Sequence, residues 1–171
     1  MDVFEAIETR RSIRKYKPKP MPYRKLQRIL EAARLAPSAG NRQPWSFVII
    51  QDTERKKALA EAANKQAFLA DAAAIIAAVG DPEASAKWHE KDTMIALEHM
   101  ALAATASGYG TCWIGAYNEE IVKHLLKIPE KLKVVALLPI GVPDETPAAR
   151  PRKEPSEIFF REEWREPWPT G

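Results

Sequence analysis

The apolar and polar positions divide the chain into short elements of both helical and strand period. Val3, Phe4 and Ile7 form an apolar stripe behind Asp2 and Glu5, which have the spacing of a capping box, so residues 3–11 are predicted to be a short helix. Pro18, Pro20 and Pro22 impose an extended connector, because each fixes its own φ and steers the preceding residue away from α. Leu26, Ile29, Leu30 and Ala33 recur at helical spacing, and Pro37 stops that helix. Trp45–Gln51 is apolar and β-branched enough for a strand, and Thr53 is the expected cap of a charged, alanine-rich helix ending near Asn64. Ala73–Val79, closed by Gly80, Asp81 and Pro82, reads as a buried strand, followed by a long helix from Ser85 to Ser107. The second half of that helix, Met94–Ala106, is apolar nearly all round except for Glu98 and His99. That is the pattern of a helix buried centrally or in a subunit interface. Gly108 and Gly110 end it, and Thr111–Gly115 (strand), Glu119–Leu126 (helix) and Val134–Val142 (core strand) complete the series. The elements mix without a strict βαβ rhythm, which favours a three-layer α+β domain over a doubly wound one.

From Pro143 onward the pattern changes. Pro143, Pro147, Pro151 and Pro155 oppose compact packing, yet Ile158, Phe159, Phe160, Trp164 and Trp168 are too apolar for a disordered tail. Residues 143–171 are therefore expected to form an arm that packs on a partner subunit. The 171 residues suit a single domain, and 46% apolar with 29% charged residues is globular composition. Cys112 is the one cysteine, so no internal disulfide forms. Without an apolar run long enough to span a bilayer or a charged-then-apolar leader, a soluble cytoplasmic protein is expected.

The net charge of +3 excludes nothing, but its distribution is informative. Between Thr9 and Leu30 there are nine basic residues and no acid, a field fit for a phosphate group or a polyanion. Its aromatics are only Tyr16 and Tyr23 and it contains no recognition helix, so nucleic acid is not the expected partner.

Familiar catalytic patterns fail. Gly108-Tyr-Gly110-Thr-Cys-Trp-Ile-Gly115 has the wrong last spacing for a dinucleotide fingerprint and follows a helix, and no phosphate-binding Gly-Lys-Ser/Thr occurs. Ser38 lies one residue short of a nucleophile elbow and lacks the strand before it. His89, His99 and His124 share no metal-ligand spacing, so no metal is expected, and Cys112 reads as a buried, inert thiol. An enzyme without a nucleophile-and-base set takes its chemistry from a cofactor.

Three segments remain that suit an anionic, planar cofactor. Arg10-Arg11-Ser12-Ile13-Arg14 and Arg150-Pro151-Arg152-Lys153 carry guanidinium forks that match phosphate oxygens. Ala36-Pro37-Ser38-Ala39-Gly40-Asn41-Arg42-Gln43-Pro44-Trp45 is a helix-to-strand loop of small residues and amides that permits close approach. Their order and wording, with Gly108–Gly115 and Gly141-Val-Pro143, resemble the nitroreductase family in its short single-domain form, over about Asp2 to Lys153.

The resemblance implies a mixed central sheet flanked by helices in an intertwined homodimer, with two FMN molecules at the interface. By position, Arg10 and Arg14 with Arg150 and Arg152 form the phosphate and ribityl clamp, while Arg11 and Ser12 meet the ring edge or ribityl chain. Pro37, Ser38 and Ala39 correspond to a loop given by the other subunit, with Asn41 bracing it. Ile114 and Gly115 correspond to the strip under the ring, where a backbone N–H reaches N5, and Gln66 to an amide near the flavin carbonyls. Arg11 or Arg14 is the candidate for stabilising negative charge at N1 and O2.

Two positions depart from the pattern. Gly115 stands where many larger members carry glutamate, and Val142 where tyrosine is usual. The implied activity is ping-pong transfer from NADH or NADPH through FMN to a nitroaromatic, quinone or flavin. The alternatives are a flavin carrier or sensor without turnover, and a specialised reaction such as dehalogenation.

Overall fold

The computed structural model describes residues 1–169; Thr170 and Gly171, the end of the expected arm, lie outside the described residues. The first helix, α1 (Val3–Thr9), starts at the predicted capping box: Asp2 accepts from the Glu5 N–H, and Glu5 accepts from the Asp2 N–H. The proline-flanked connector holds a two-residue strand that its sequence does not announce, β1 (Tyr16–Lys17), before α2 (Tyr23–Arg34) and β2 (Trp45–Ile50). Helix α3 (Thr53–Ala62) is capped by Asp52 and not by Thr53, because the Asp52 carboxylate takes the Arg55 N–H at 2.9 Å. The central strand β3 (Ala74–Gly80) is buried throughout and leads to α4 (His89–Ala106).

Helix α4 begins four residues later than the sequence suggests. The Asp81 carboxylate accepts from the Glu83 and Ala84 N–H groups, and the Ser85 carbonyl is met by the His89 backbone N–H and its ring Nδ1, so this stretch is built as turns. The expected strand at Thr111–Gly115 is only β4 (Gly110–Thr111), with Ile114 making an isolated bridge to Leu137. Then come α5 (Glu119–Leu126), the eleven-residue β5 (Lys133–Pro143) and a single turn, α6 (Pro155–Ile158).

The strands order as β1-β5-β3-β2, with β4 also on β5. All ladders between named strands are antiparallel, and the mixed character of the sheet rests on one parallel bridge, Ser12 to Thr111. Both faces of β3 are apolar because both are covered. Ile75, Ala77 and Val79 face a core with Leu59 of α3, Ala63 at its C-terminal cap, and Val122 and Leu126 of α5. Ile76 and Ala78 face the opposite core, with Leu26 and Ile29 of α2 and Leu97 and Met100 of α4. Helices on both faces of one sheet give the three layers.

At the β5 end of the sheet, distant segments are laced together. Tyr16 pairs with Pro143 and Lys17 with Val142, so Pro143 belongs to the ladder and the arm does not begin there. The Asp144 N–H donates to the Lys15 carbonyl, the Lys15 ammonium lies 3.2 Å from the Asp144 carboxylate, and the Arg14 N–H donates to Glu145. On the other side the Ile13 N–H donates to the Thr111 carbonyl at 2.9 Å. This contact demands glycine at 110, since a Cβ there would meet Ile13 Cγ1 at 2.6 Å and its Cβ at 2.8 Å. Gly110→Ala must therefore push Ile13 and its neighbours off β4. By the usual cost of overpacking we expect a loss of roughly 1–3 kcal/mol, or a melting midpoint about 2–10 °C lower by circular dichroism. An unchanged midpoint would show that Ile13 moves freely.

Candidate cofactor site

The lacing of residues 14–17 to 142–145 carries the chain on past Arg10–Arg14. Arg10, Arg11, Ser12 and Arg14 there share one cavity of about 140 Å³ with Pro147, Ala148, Arg150 and Arg152. Five guanidinium groups and a hydroxyl line it, and no carboxylate does. Such a lining suits a phosphate, which takes forked N–H donors and offers the opposite charge. The volume fits a phosphate group and not a three-ring flavin, so the rest of a flavin nucleotide would lie outside it.

The arginines are held from behind. Arg10 Nε lies 4.0 Å from the Glu98 carboxylate, whose other oxygen accepts from Trp113 Nε1 at 3.0 Å. Arg11 donates to the Glu8 and Arg10 carbonyls at 2.6 and 2.9 Å, and Arg152 to the Arg150 carbonyl at 3.2 Å. Behind Ser12, burial pushes the Cys112 thiol up from its ordinary range, opposed by the Arg14 charge and a hydrogen bond with Ser12. The thiol stays protonated, as its sequence context suggests.

The other expected residues do not line this cavity. Ile114 is buried, and its N–H is taken by the Leu137 carbonyl at 2.9 Å. Gly115 beside it is exposed, and a Cβ added there would have nothing within 4 Å. Of the two backbone donors on this strip, only the Gly115 N–H lacks a protein acceptor among the described residues. Gln66 lies next to it, donating to the Ala63 carbonyl at 2.9 Å and the Ala116 carbonyl at 3.4 Å.

The loop of Pro37, Ser38, Ala39 and Asn41 is elsewhere. It enters β2 at Trp45, opposite Gly80, whereas the arginines gather beside Gly110 and Gly141 at the other end of the sheet. One copy of the chain does not bring the loop and the arginine cavity together. Nor does the Asn41 side chain brace the loop: it makes no hydrogen bond among the described residues. Ser38 Oγ accepts from the Gln43 N–H at 2.9 Å, and Asp92 Oδ2 accepts from the Ala39 N–H at 3.1 Å.

Glu98, Glu145 and Asp92 are absent from the sequence reading of the site. Glu98 left a trace, as a charge on an otherwise apolar helix. Asp92 left none, because an acid in the first turns of a helix is ordinary.

The Nitroreductase family model matches residues 7–74 and 61–142 of the chain. The chain belongs to the nitroreductase family. It is thereby an oxidoreductase by class. A protein of Archaeoglobus fulgidus with the provisional name NADH dehydrogenase/NAD(P)H nitroreductase is 36% identical over 173 residues, covering 95% of this chain and 99% of its own. The FMN reductase [NAD(P)H] of Bacillus subtilis is 29% identical and spans 94% of this chain and 74% of its own. A solved structure of an FMN-dependent nitroreductase from Clostridium difficile R20291 superposes with a TM-score of 0.85 at 30% identity, over 93% of this chain and 99% of that one. The antiparallel three-layer architecture is thus the family fold. Among the described residues no helix is long and apolar enough to cross a membrane.

Proposed function

We propose that this chain is an FMN-dependent NAD(P)H oxidoreductase that reduces nitroaromatics, quinones or flavins. The observation that carries the reading is the cavity of five arginines and Ser12, built from two segments far apart in sequence and free of carboxylates. Relatives named for FMN and NAD(P)H support it.

Arg10, Arg14, Arg150 and Arg152 would clamp the phosphate and ribityl chain, with Arg11 and Ser12 at the ring edge or the ribityl chain. Exposed Gly115 offers the backbone donor to the ring, and its missing side chain leaves that surface open to a flat substrate. Arg11 or Arg14 would favour the reduced ring by its charge. Gln66 adds an amide beside the same strip. The Pro37–Asn41 loop would come from a second copy of the chain, since it is remote from the arginines of its own copy. A homodimer then completes each site, and the apolar arm beyond Ala148 is suited to bind the partner. When bound, FMN supplies the two-electron chemistry that accepts hydride from a nicotinamide and returns it to the second substrate. The protein's share is to bind, orient and leave one ring face accessible.

The test is an absorption spectrum of the purified protein, reconstituted with FMN, before and after anaerobic NADH and then NADPH. Flavin bands that bleach with either nucleotide and return with a quinone or nitroaromatic support the proposal. Flavin bands that persist would leave a carrier, and a protein that takes up no FMN would overturn the cofactor itself.

A further inference from the structure

The α4 carboxylate of Asp92 is 3% exposed, a position that disfavours a charge unless its oxygens are hydrogen-bonded. A helix-dipole role does not explain the burial, because Glu90 in the same turn serves the dipole from solvent. What Asp92 holds is the Ala39 N–H, at 3.1 Å.

That loop needs holding. Gly40, Asn41 and Gln43 lie in the left-handed region, at φ of 58°, 53° and 49°, and only the glycine adopts it without penalty. The other hydrogen bonds of residues 37–43 close within the loop: Asn41 N–H to the Ser38 carbonyl, Arg42 N–H and Nη1 to the Ala39 carbonyl, Gln43 N–H to Ser38 Oγ, and Gln43 Nε2 to the Asn41 carbonyl. Among the described residues, the Asp92 contact is the one hydrogen bond that ties residues 37–43 to another element.

We propose that Asp92 is a positioning residue for the cofactor, fixing through the Ala39 amide the shape of the 37–41 loop where it meets the flavin. This rests on the reading of the chain as an FMN enzyme. The carboxylate touches neither flavin nor substrate and acts only through the loop. In the homodimer of that reading the loop of one copy meets the arginine cavity of the other, so Asp92 on one subunit shapes the site of its partner.

The test compares wild type, Asp92→Ala and Asp92→Asn, reading hydrogen exchange of the Ala39 amide, the FMN dissociation constant and the visible band of bound flavin. Asn keeps a carbonyl acceptor at the same reach. We expect Asp92→Ala to speed exchange across residues 37–41, weaken FMN about tenfold and shift the flavin band, as fits loss of one charge-assisted bond, with Asp92→Asn recovering most of each. If the alanine variant does not fold, Asp92→Ser, too short to reach Ala39, takes its place with the same expectation. Faster exchange with unaltered FMN affinity and spectrum would overturn the inference, as would unaltered exchange. Failure of the wild type to take up FMN would overturn the cofactor reading instead, so the two are distinguishable.

Discussion

Arg150→Ala with Arg152→Ala should yield a protein that folds normally and purifies nearly colourless. Each charge-assisted contact to a phosphate is worth roughly 1.5–3 kcal/mol. Both side chains are exposed, which favours the lower end, so the pair should weaken FMN by about 100-fold or more. Titration of apoprotein with FMN, followed by quenching of flavin fluorescence, measures this directly. Riboflavin, which lacks the phosphate, is the internal control: its weaker binding should be the same in wild type and variant. Added salt should weaken FMN binding to the wild type more steeply than to the double variant, because fewer charges remain to be screened. The two arginines lie beyond the sheet and pack on no core, so the melting midpoint of the apoprotein should stay within about 1–2 °C. A double variant that binds FMN like the wild type would remove residues 150–152 from the site.

Leu137→Ala should be among the costliest single substitutions for stability. The side chain is fully buried on β5, in the core shared with α3 and α5, and its strand also carries two backbone bonds with Ile114 at 2.9 and 3.0 Å. Truncating a fully buried leucine removes roughly 2–5 kcal/mol, which lowers the melting midpoint of a domain this size by about 5–15 °C. The loss should reach the Ile114–Gly115 strip, since Leu137 is its anchor. A chemical denaturation curve with unchanged slope and an earlier midpoint would be the signature. A midpoint within a degree or two of wild type would mean the core closes around the gap.

The elements were legible wherever one periodicity dominated. The capping box before α1, the apolar stripe of α2, and the buried runs of β3 and β5 all stand in the structure close to their sequence positions. The misses share a cause, which is competition by local polar groups or by distant contacts. Asp52 outbid Thr53 for the cap, and Asp81 wound residues 81–85 into turns ahead of α4. Strand β1 exists because Pro143 and Val142 come to it from 125 or more positions away, which no local pattern encodes.

The candidate site divides the same way. The arginines were readable as residue types, but their gathering into one cavity depends on the lacing of residues 14–17 to 142–145. Of the supporting carboxylates, Glu98 showed only as a charge on an apolar helix, and Glu145 and Asp92 were not readable, because an acid takes such a role only by where the fold leaves it.

Strand β2 closes the described sheet on one side, and its six residues, Trp45–Ile50, contain no charge, proline or glycine. Such a border exposes backbone donors and acceptors that any other extended chain could match. A newly synthesised copy is thus a template for aggregation until that border is covered. The residues on either side act against it. Arg42 and Pro44 precede the strand and Asp52 follows it, so an invading chain would have to bury charge or lose hydrogen bonds at both ends. The same apolar composition that makes β2 a stable strand therefore leaves the protection of its border to three flanking residues, Arg42, Pro44 and Asp52, two of which also lie in the loop that leads into the strand.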